Sequence, residues 1–459
     1  MMLLKFLNFL GLAALSQTTP VPSQLTSIDV SIPGDIVHSL SLPGFRFRRV
    51  EPLTSAATEY KVRNHLDLRR LPRSNVRKPQ RSAAAYFGQV QRDIGGNGYE
   101  NVTAVNHYAA EYAVQAVFNG VTMNLVVDSG SADTWVRGSN FSCKRGHGLN
   151  NTVPEEYCAL GPSFAGNFTG KPIPGQHFAI RYGDGENVQG LLGYMDVEFA
   201  DVTVLDQEVA IASQGTWRGN NVTSGILGLA YPSLTSAYWG NDLNDDNQYL
   251  SVPYSPLFTS MVTNGLVAPY WAIAMARNSS LGSISVGGMP PVDVSKSSYG
   301  QTPILIAEII HKDDTTWQPS FYTIVPKGFQ FGQMTTSAQY PFILDTATTL
   351  IYLPPDLAQE VNNLFSPPAT YFGYYDSYFT SCDATPPSFG VQIGESTFWV
   401  NPKDLLNKEE RDPQTGFCQT GIGNGGTGPY ILGITFLTNV VVSMNVGSGH
   451  VEFWSHELY

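Results

Sequence analysis

The feature that most constrains this chain is a motif that occurs twice. "NLVVDSGSADTWV" spans residues 124–136, and "FILDTATTLIYLP" spans residues 342–354. Each is an apolar run, then Asp, then Ser or Thr, then a small residue. Each also has a late echo. "SGILGLAY" (224–231) follows Asp128, and "PYILGITFL" (429–437) follows Asp345, the glycine lying 100 and 88 residues beyond its Asp. A lone Asp-Ser-Gly is an ordinary turn. Two copies at the same place in a domain-sized repeat imply two related lobes, whose matching loops meet at the junction. That sets two carboxylates, Asp128 and Asp345, side by side in a cleft.

A chain of 459 residues is long enough for two such lobes with their own cores. Glycine and proline are frequent, charge is sparse, and short alternating runs recur: "EYAVQAVFNG", "MNLVVD", "HFAIRYG", "LLGYMDVEFADVTV", "QEVAIAS". This predicts an all-β body whose first firm strand is "EYAVQAVFNG". Helices are few. "SPLFTSMVTNG" reads as one, with Ser255 as cap, Pro256 as first helical residue and Asn264-Gly265 as its close. "PDLAQEVNNLF" reads as another, with Leu357, Val361, Leu364 and Phe365 on one stripe.

The first residues read as an address label. Lys5 precedes "FLNFLGLAAL", and small residues at Ala14–Ser16 suit a signal peptidase, so 1–16 are expected to be a signal peptide. No later window is apolar enough to span a membrane, and "VEFWSHELY" at the end carries no anchor signal. Four cysteines behind a signal peptide suggest two disulfides. Nearest-neighbour pairing gives Cys143–Cys158 and Cys382–Cys418, although three pairings are open. Six Asn-x-Ser/Thr acceptors, Asn101, Asn140, Asn150, Asn167, Asn221 and Asn278, agree with a secretory route and an extracellular destination.

Charge divides the chain. Residues 1–92 hold 13 Lys+Arg and 5 Asp+Glu, whereas residues 93–459 hold 13 and 33. A basic tail could bind nucleic acid, but a secreted protein rarely meets it, so no nucleic-acid partner is expected. A basic segment fused to an acidic body is instead a removable prosegment, held by charge. It is placed at 17–81, with Arg69-Arg70 as a dibasic processing candidate and "RKPQRSAAA" as a hinge. The body then divides into an N-terminal lobe, 82–280, and a C-terminal lobe, 281–459.

Two close carboxylates cannot easily both ionise, so they share a proton over a wide acidic range. The ionised partner can take a proton from water, and the protonated one can polarise a carbonyl. Water can then attack an amide with neither metal nor cofactor. None is expected: His107, His147, His177, His311 and His450 show no metal-ligand spacing, and "GDG" and "NGGTG" lack the setting of phosphate loops.

The set "VVDSGSADTWV", "IRYGDG", "SGILGLAYP", "ILDTATTLIYLP" and "ILGITFL" resembles the pepsin-like aspartic proteases of the secreted fungal type, from about Glu111 onward. The resemblance implies a bilobal all-β fold with Asp128 and Asp345 as the catalytic pair. It implies that Ser129 and Thr346 bond across the lobe junction, and that Ser131 and Thr348 bond the outer carboxylate oxygens. It implies a flap in "FAIRYGDGENVQGLLGYMDVEF", with Tyr182 paired to the indole of Trp135. Polypeptide substrates with large apolar residues around the cut are expected, with the protein acting as a monomer. Asp184 is a candidate for pairing with a substrate lysine, or else a turn aspartate. One departure stands out: Ala347 replaces the family's glycine. The second reading is therefore a catalytically impaired relative that binds peptides or inhibitors. Alanine keeps the backbone N–H and is costly only where φ is positive or space is absent.

Overall fold

The computed structural model describes residues 45–49, 98–104, 111–145, 151–247, 250–277, 282–295, 298–310, 317–336 and 340–456. The expected signal peptide, the basic residues Arg63–Arg81 and the acceptors Asn150 and Asn278 lie outside them.

The two aspartate strands are built alike. Strand Val121–Asp128 pairs in parallel with Gly225–Gly228, which also pairs antiparallel with the start of Thr134–Arg145. Strand Phe342–Leu344 pairs in parallel with Tyr430–Leu432, which also pairs antiparallel with Ile351–Leu353. Each late Ile-Leu-Gly is thus the neighbour of its aspartate strand. The glycines are required by close approach. A Cβ at Gly228 would meet the Ala132 backbone at 2.4 Å, and one at Gly433 would meet the Thr348 carbonyl oxygen at 2.2 Å. Both contacts lie just past an aspartate, so the glycines let one chain cross directly behind each loop.

Around these units strand is the prevailing element among the described residues. A 15-stranded sheet runs from Ala237–Trp239 through the N-terminal half and on to Tyr299–Pro303. Its far part interleaves Tyr99–Ala104, Gly282–Val286, Tyr270–Ala274, Val440–Asn445 and His450–Ser455, so strands from both halves share one floor. The expected lobe boundary near 280 falls between two strands of this floor that pair antiparallel. A seven-stranded sheet carries Asp345's strand. The main apolar core is continuous across both halves, with Phe118, Met195 and Leu227 on one side and Phe342, Ile422 and Phe436 on the other.

Several details differ from expectation. Tyr99–Ala104 precedes the expected first strand and pairs with it. Strand Phe45–Arg49 pairs antiparallel with Leu305–Ile310. Its three arginines belong to the basic excess of residues 1–92, and charge says nothing of pairing. "LLGYMDVEFADVTV" is not one strand. It breaks into Asn187–Phe199 and Val202–Thr216 at Ala200-Asp201, whose φ values of 52° and 59° make the two-residue reversal without glycine. The first helix is Leu257–Thr263, one residue later than expected: Pro256 is its N-cap, with ψ of 161° and no side-chain cap. The Ser255 carbonyl is engaged by Gln207 Nε2 and Ser260 Oγ. The second helix, Pro355–Asn363, buries Leu357 and Val361, and Phe365 beyond it is buried too. Leu364 sits at its C-cap and is 39% exposed, off the stripe.

Candidate active site

Three buried apolar residues, Leu125–Val127 and Phe342–Leu344, precede the two aspartates, so both carboxylates are carried to the end of a buried strand. Asp128 is 2% exposed and Asp345 is fully buried. Their surroundings match residue for residue. The Gly130 N–H donates to Asp128 Oδ1 at 2.7 Å, and the Ala347 N–H donates to Asp345 Oδ1 at 2.9 Å. The Ser131 hydroxyl donates to Asp128 Oδ2 at 2.5 Å, and the Thr348 hydroxyl donates to Asp345 Oδ2 at 2.6 Å.

The loops are locked to each other by four bonds. The Ser129 N–H donates to Thr346 Oγ1 at 2.9 Å, and the Thr346 N–H donates to Ser129 Oγ at 3.0 Å. Each hydroxyl then donates onward across the junction, Ser129 to the Leu344 carbonyl at 2.8 Å and Thr346 to the Val127 carbonyl at 2.9 Å. All of these groups are buried, so each bond satisfies an atom that water cannot reach. Burial and then the charge of Asp345 raise the pKa of Asp128, while Ser131 and Gly130 pull it down.

Ala347 keeps its donor. It does not take a positive φ, and its methyl packs in an apolar cluster with Trp135 and Tyr182. The structural grounds for an impaired loop, strain or a lost N–H, are absent at this residue.

Gln176–Arg181 forms a hairpin against the start of Asn187–Phe199, and Tyr182 in its turn feels the charge of Asp128. The Trp135 indole N–H donates to the Tyr182 hydroxyl at 2.8 Å. Asp184 lies in the turn, where its Oδ1 accepts from the Glu186 N–H at 3.0 Å, the bond of a turn aspartate. The disulfides are Cys143–Cys158 and Cys382–Cys418, one in each half. Asn101, Asn140, Asn167 and Asn221 are exposed.

This arrangement agrees with comparisons to known proteins. The family model described as eukaryotic aspartyl protease matches residues 112–455. The chain belongs to the eukaryotic aspartyl protease family. Among its relatives is a probable aspartic-type endopeptidase of Aspergillus fumigatus, 35% identical over 74% of this chain and 78% of that protein. Penicillopepsin-1 of Talaromyces stipitatus is 26% identical over 89% and 95%. The crystal structure of an aspartic proteinase from Irpex lacteus superposes with a TM-score of 0.57 at 17% identity, over 79% of this chain and 98% of that one, which speaks for the fold.

Within this aspartyl protease, three features escaped the sequence reading. Trp217 packs edge-on against both Trp135 and Tyr182, at ring separations of 5.2 and 5.5 Å. Asp133, fully buried, accepts from the Tyr254 hydroxyl at 2.7 Å and the Ser236 N–H at 2.9 Å, and burial pushes its pKa up to about 6. Glu186 is a buried carboxyl that closes the hairpin turn. Asp133 and Glu186 stand five and four residues past Asp128 and Tyr182, and that proximity was their only visible signal. Among the described residues no helix is long and apolar enough to cross a membrane.

Proposed function

We propose that this chain is a secreted endopeptidase that hydrolyses peptide bonds in acid, with Asp128 and Asp345 sharing one proton around the attacking water. The observation that carries the reading is the equivalence of the two carboxylates: each is held by one backbone N–H and one hydroxyl, on loops tied to each other. With those oxygens occupied, the remaining capacity of both groups turns to a shared water. One carboxylate takes its proton, the other donates to the substrate carbonyl, and no covalent intermediate is needed. Ser129, Ser131, Thr346 and Thr348 hold the pair, and Tyr182 with Trp135 shapes the flap over the polypeptide. Large apolar residues fill the sites beside the cut, and Asp184 can pair with a lysine there.

The enzyme is made as a zymogen. After removal of signal peptide 1–16, prosegment 17–81 is held on the acidic body, lobes 82–280 and 281–459. Strand Phe45–Arg49, paired to Leu305–Ile310, supports a prosegment that docks on the body. Acid protonates the body's carboxylates, weakens the charge attraction and exposes the hinge near Arg81 to cleavage.

The test is digestion of denatured globin by the secreted protein from about pH 3 to 8. Wild type should release peptides on the acid side after an acid step that shortens it. Asp128→Asn and Asp345→Asn should each abolish cleavage with little change in melting temperature. More than trace activity in either variant would break the dyad assignment. A full-length form equally active at neutral pH would end the zymogen reading alone.

A further inference from the structure

The flap is fastened to the body by a carboxyl group that the reaction itself does not use. Glu186 follows the flap turn and is 6% exposed. Its backbone belongs to the turn: its carbonyl accepts from the Tyr182 N–H at 2.8 Å. Its side chain leaves the turn, and Oε1 accepts from the Arg218 N–H at 2.5 Å. The ladder between the flap strand and Val202–Thr216 ends at the pair Asn187–Thr216. The Glu186–Arg218 bond carries that connection past the end of the ladder. Arg218 also follows Trp217, whose ring packs on Tyr182 and Trp135. One carboxyl therefore ties the flap turn to the segment that supports the flap tyrosine.

The groups facing this carboxyl come from three elements. Asp184 lies on its own turn, Glu111 on the segment entering strand Tyr112–Phe118, and Arg218 beyond strand Val202–Thr216. Tyr182, on the same turn, also feels its charge. Glu111 is held by the Asn220 amide at 2.6 Å, on the same loop as Arg218. Three carboxyls thus meet one guanidinium beside the flap.

We infer that Glu186 is a positioning residue, a latch that holds the flap over the Asp128/Asp345 pair through Arg218 and lets go as charge builds on Glu111 and Glu186. Burial, then Asp184, raise the pKa of Glu186 well above the usual carboxylate range, and burial raises that of Glu111. The docked arrangement therefore binds these protons more tightly than an open one. Docking is favoured below the ordinary carboxylate pKa and weakens as pH rises through the raised values. The flap closes in acid and loosens toward neutrality. This inference rests on the acid-protease reading and adds to it a device that sets the alkaline limit through substrate binding.

The experiment compares the processed enzyme with Glu186→Gln and Glu186→Ala, using a chromogenic peptide from about pH 3 to 8. Glutamine keeps the acceptor for Arg218 and cannot ionise. Its alkaline limb of kcat/KM should move up by about one pH unit or more, with KM carrying the change. Alanine removes the latch, so KM should rise roughly tenfold in acid, about the worth of one buried hydrogen bond, and converge on wild type toward neutrality. A purely structural role would lower the melting temperature and leave the pH profile in place. A Glu186→Gln profile superimposed on wild type would overturn the latch. Tryptophan fluorescence gives a readout free of catalysis, since Trp135 and Trp217 flank Tyr182. Wild type should show a transition between acid and neutral pH that moves to higher pH in Glu186→Gln. Absence of a transition in wild type overturns the latch even if the variants do not fold. A transition in a protein that cleaves nothing would instead support the latch and remove the protease reading.

Discussion

Thr346→Val tests whether the lobe junction holds the carboxylate pair. The substitution keeps shape and removes one oxygen. That oxygen accepts from the Ser129 N–H and donates to the Val127 carbonyl, each at 2.9 Å. Both backbone groups are then left buried without their partner. At about 1–3 kcal/mol for each buried group left unpaired, the loss is on the order of 2–6 kcal/mol. Ser129→Ala removes the reciprocal pair, the bonds with the Leu344 carbonyl and the Thr346 N–H. Because the four bonds join the same two loops, the double variant should cost well under the sum of the singles. Urea unfolding measures these costs. Globin digestion should show kcat lowered about tenfold or more in Thr346→Val, since a small shift of one loop misaligns the carboxylates. Unfolding within about 0.5 kcal/mol of wild type, the range of an ordinary surface change, together with unchanged kcat, would refute the view that the junction sets the pair. Strict additivity would refute the view that the four bonds act as a unit.

Three further outcomes are expected. Ala347→Gly should retain activity and lower stability by about 1 kcal/mol, since it removes a buried methyl and frees a backbone that needs no positive φ; a large loss of activity in the digest would show that the methyl is required. Asp184→Thr should suppress cleavage after lysine relative to phenylalanine, read by mass spectrometry of a peptide mixture; an unchanged ratio would leave only the turn role seen in its bond to the Glu186 N–H. The melting temperature of the processed body should fall as pH rises from about 4 to 7. Asp133 and Glu208 are pushed up to about 6 and about 7 by burial, so each favours the folded state while protonated and withdraws that support as pH climbs through those values. His456, pushed down to about 4 by burial, acts in the opposite sense, but a single histidine is set against several carboxyls. Calorimetry showing a higher melting temperature at pH 7 than at pH 4 would reverse the sign of this reasoning.

The chain declares its duplication in local patterns. An apolar strand, an Asp-Ser/Thr turn and a late Ile-Leu-Gly are all contiguous runs, and the strands that carry them lie where those runs are. Nearest-neighbour cysteines became the two disulfides because each pair closes a short excursion within one half. Tyr182 and Trp135 were reached through the family resemblance, because an aromatic residue in a strand looks like core until its partner is known. Other features had no local trace. A two-residue reversal at Ala200-Asp201 lacks the glycine that marks such turns. Tyr99–Ala104 gains its place by pairing with Gly282–Val286, nearly two hundred residues away.

What the sequence determined by itself was the pair: two aspartates at the ends of two like strands, each followed by a hydroxyl residue and a small one. What only the tertiary structure decided was how those groups meet and what surrounds them. Ser129 and Thr346 are 217 residues apart, and nothing in either stretch states that each hydroxyl will answer the other's backbone. Glu186, Asp133 and Glu208 are ordinary carboxylates in sequence. They become proton-holding groups because strands from elsewhere bury them, and burial depends on what packs over a residue rather than on its neighbours along the chain. Hydrophobic period and turn chemistry act over a few residues and can be read in order. Desolvation and cross-lobe hydrogen bonding exist only once the chain has closed on itself.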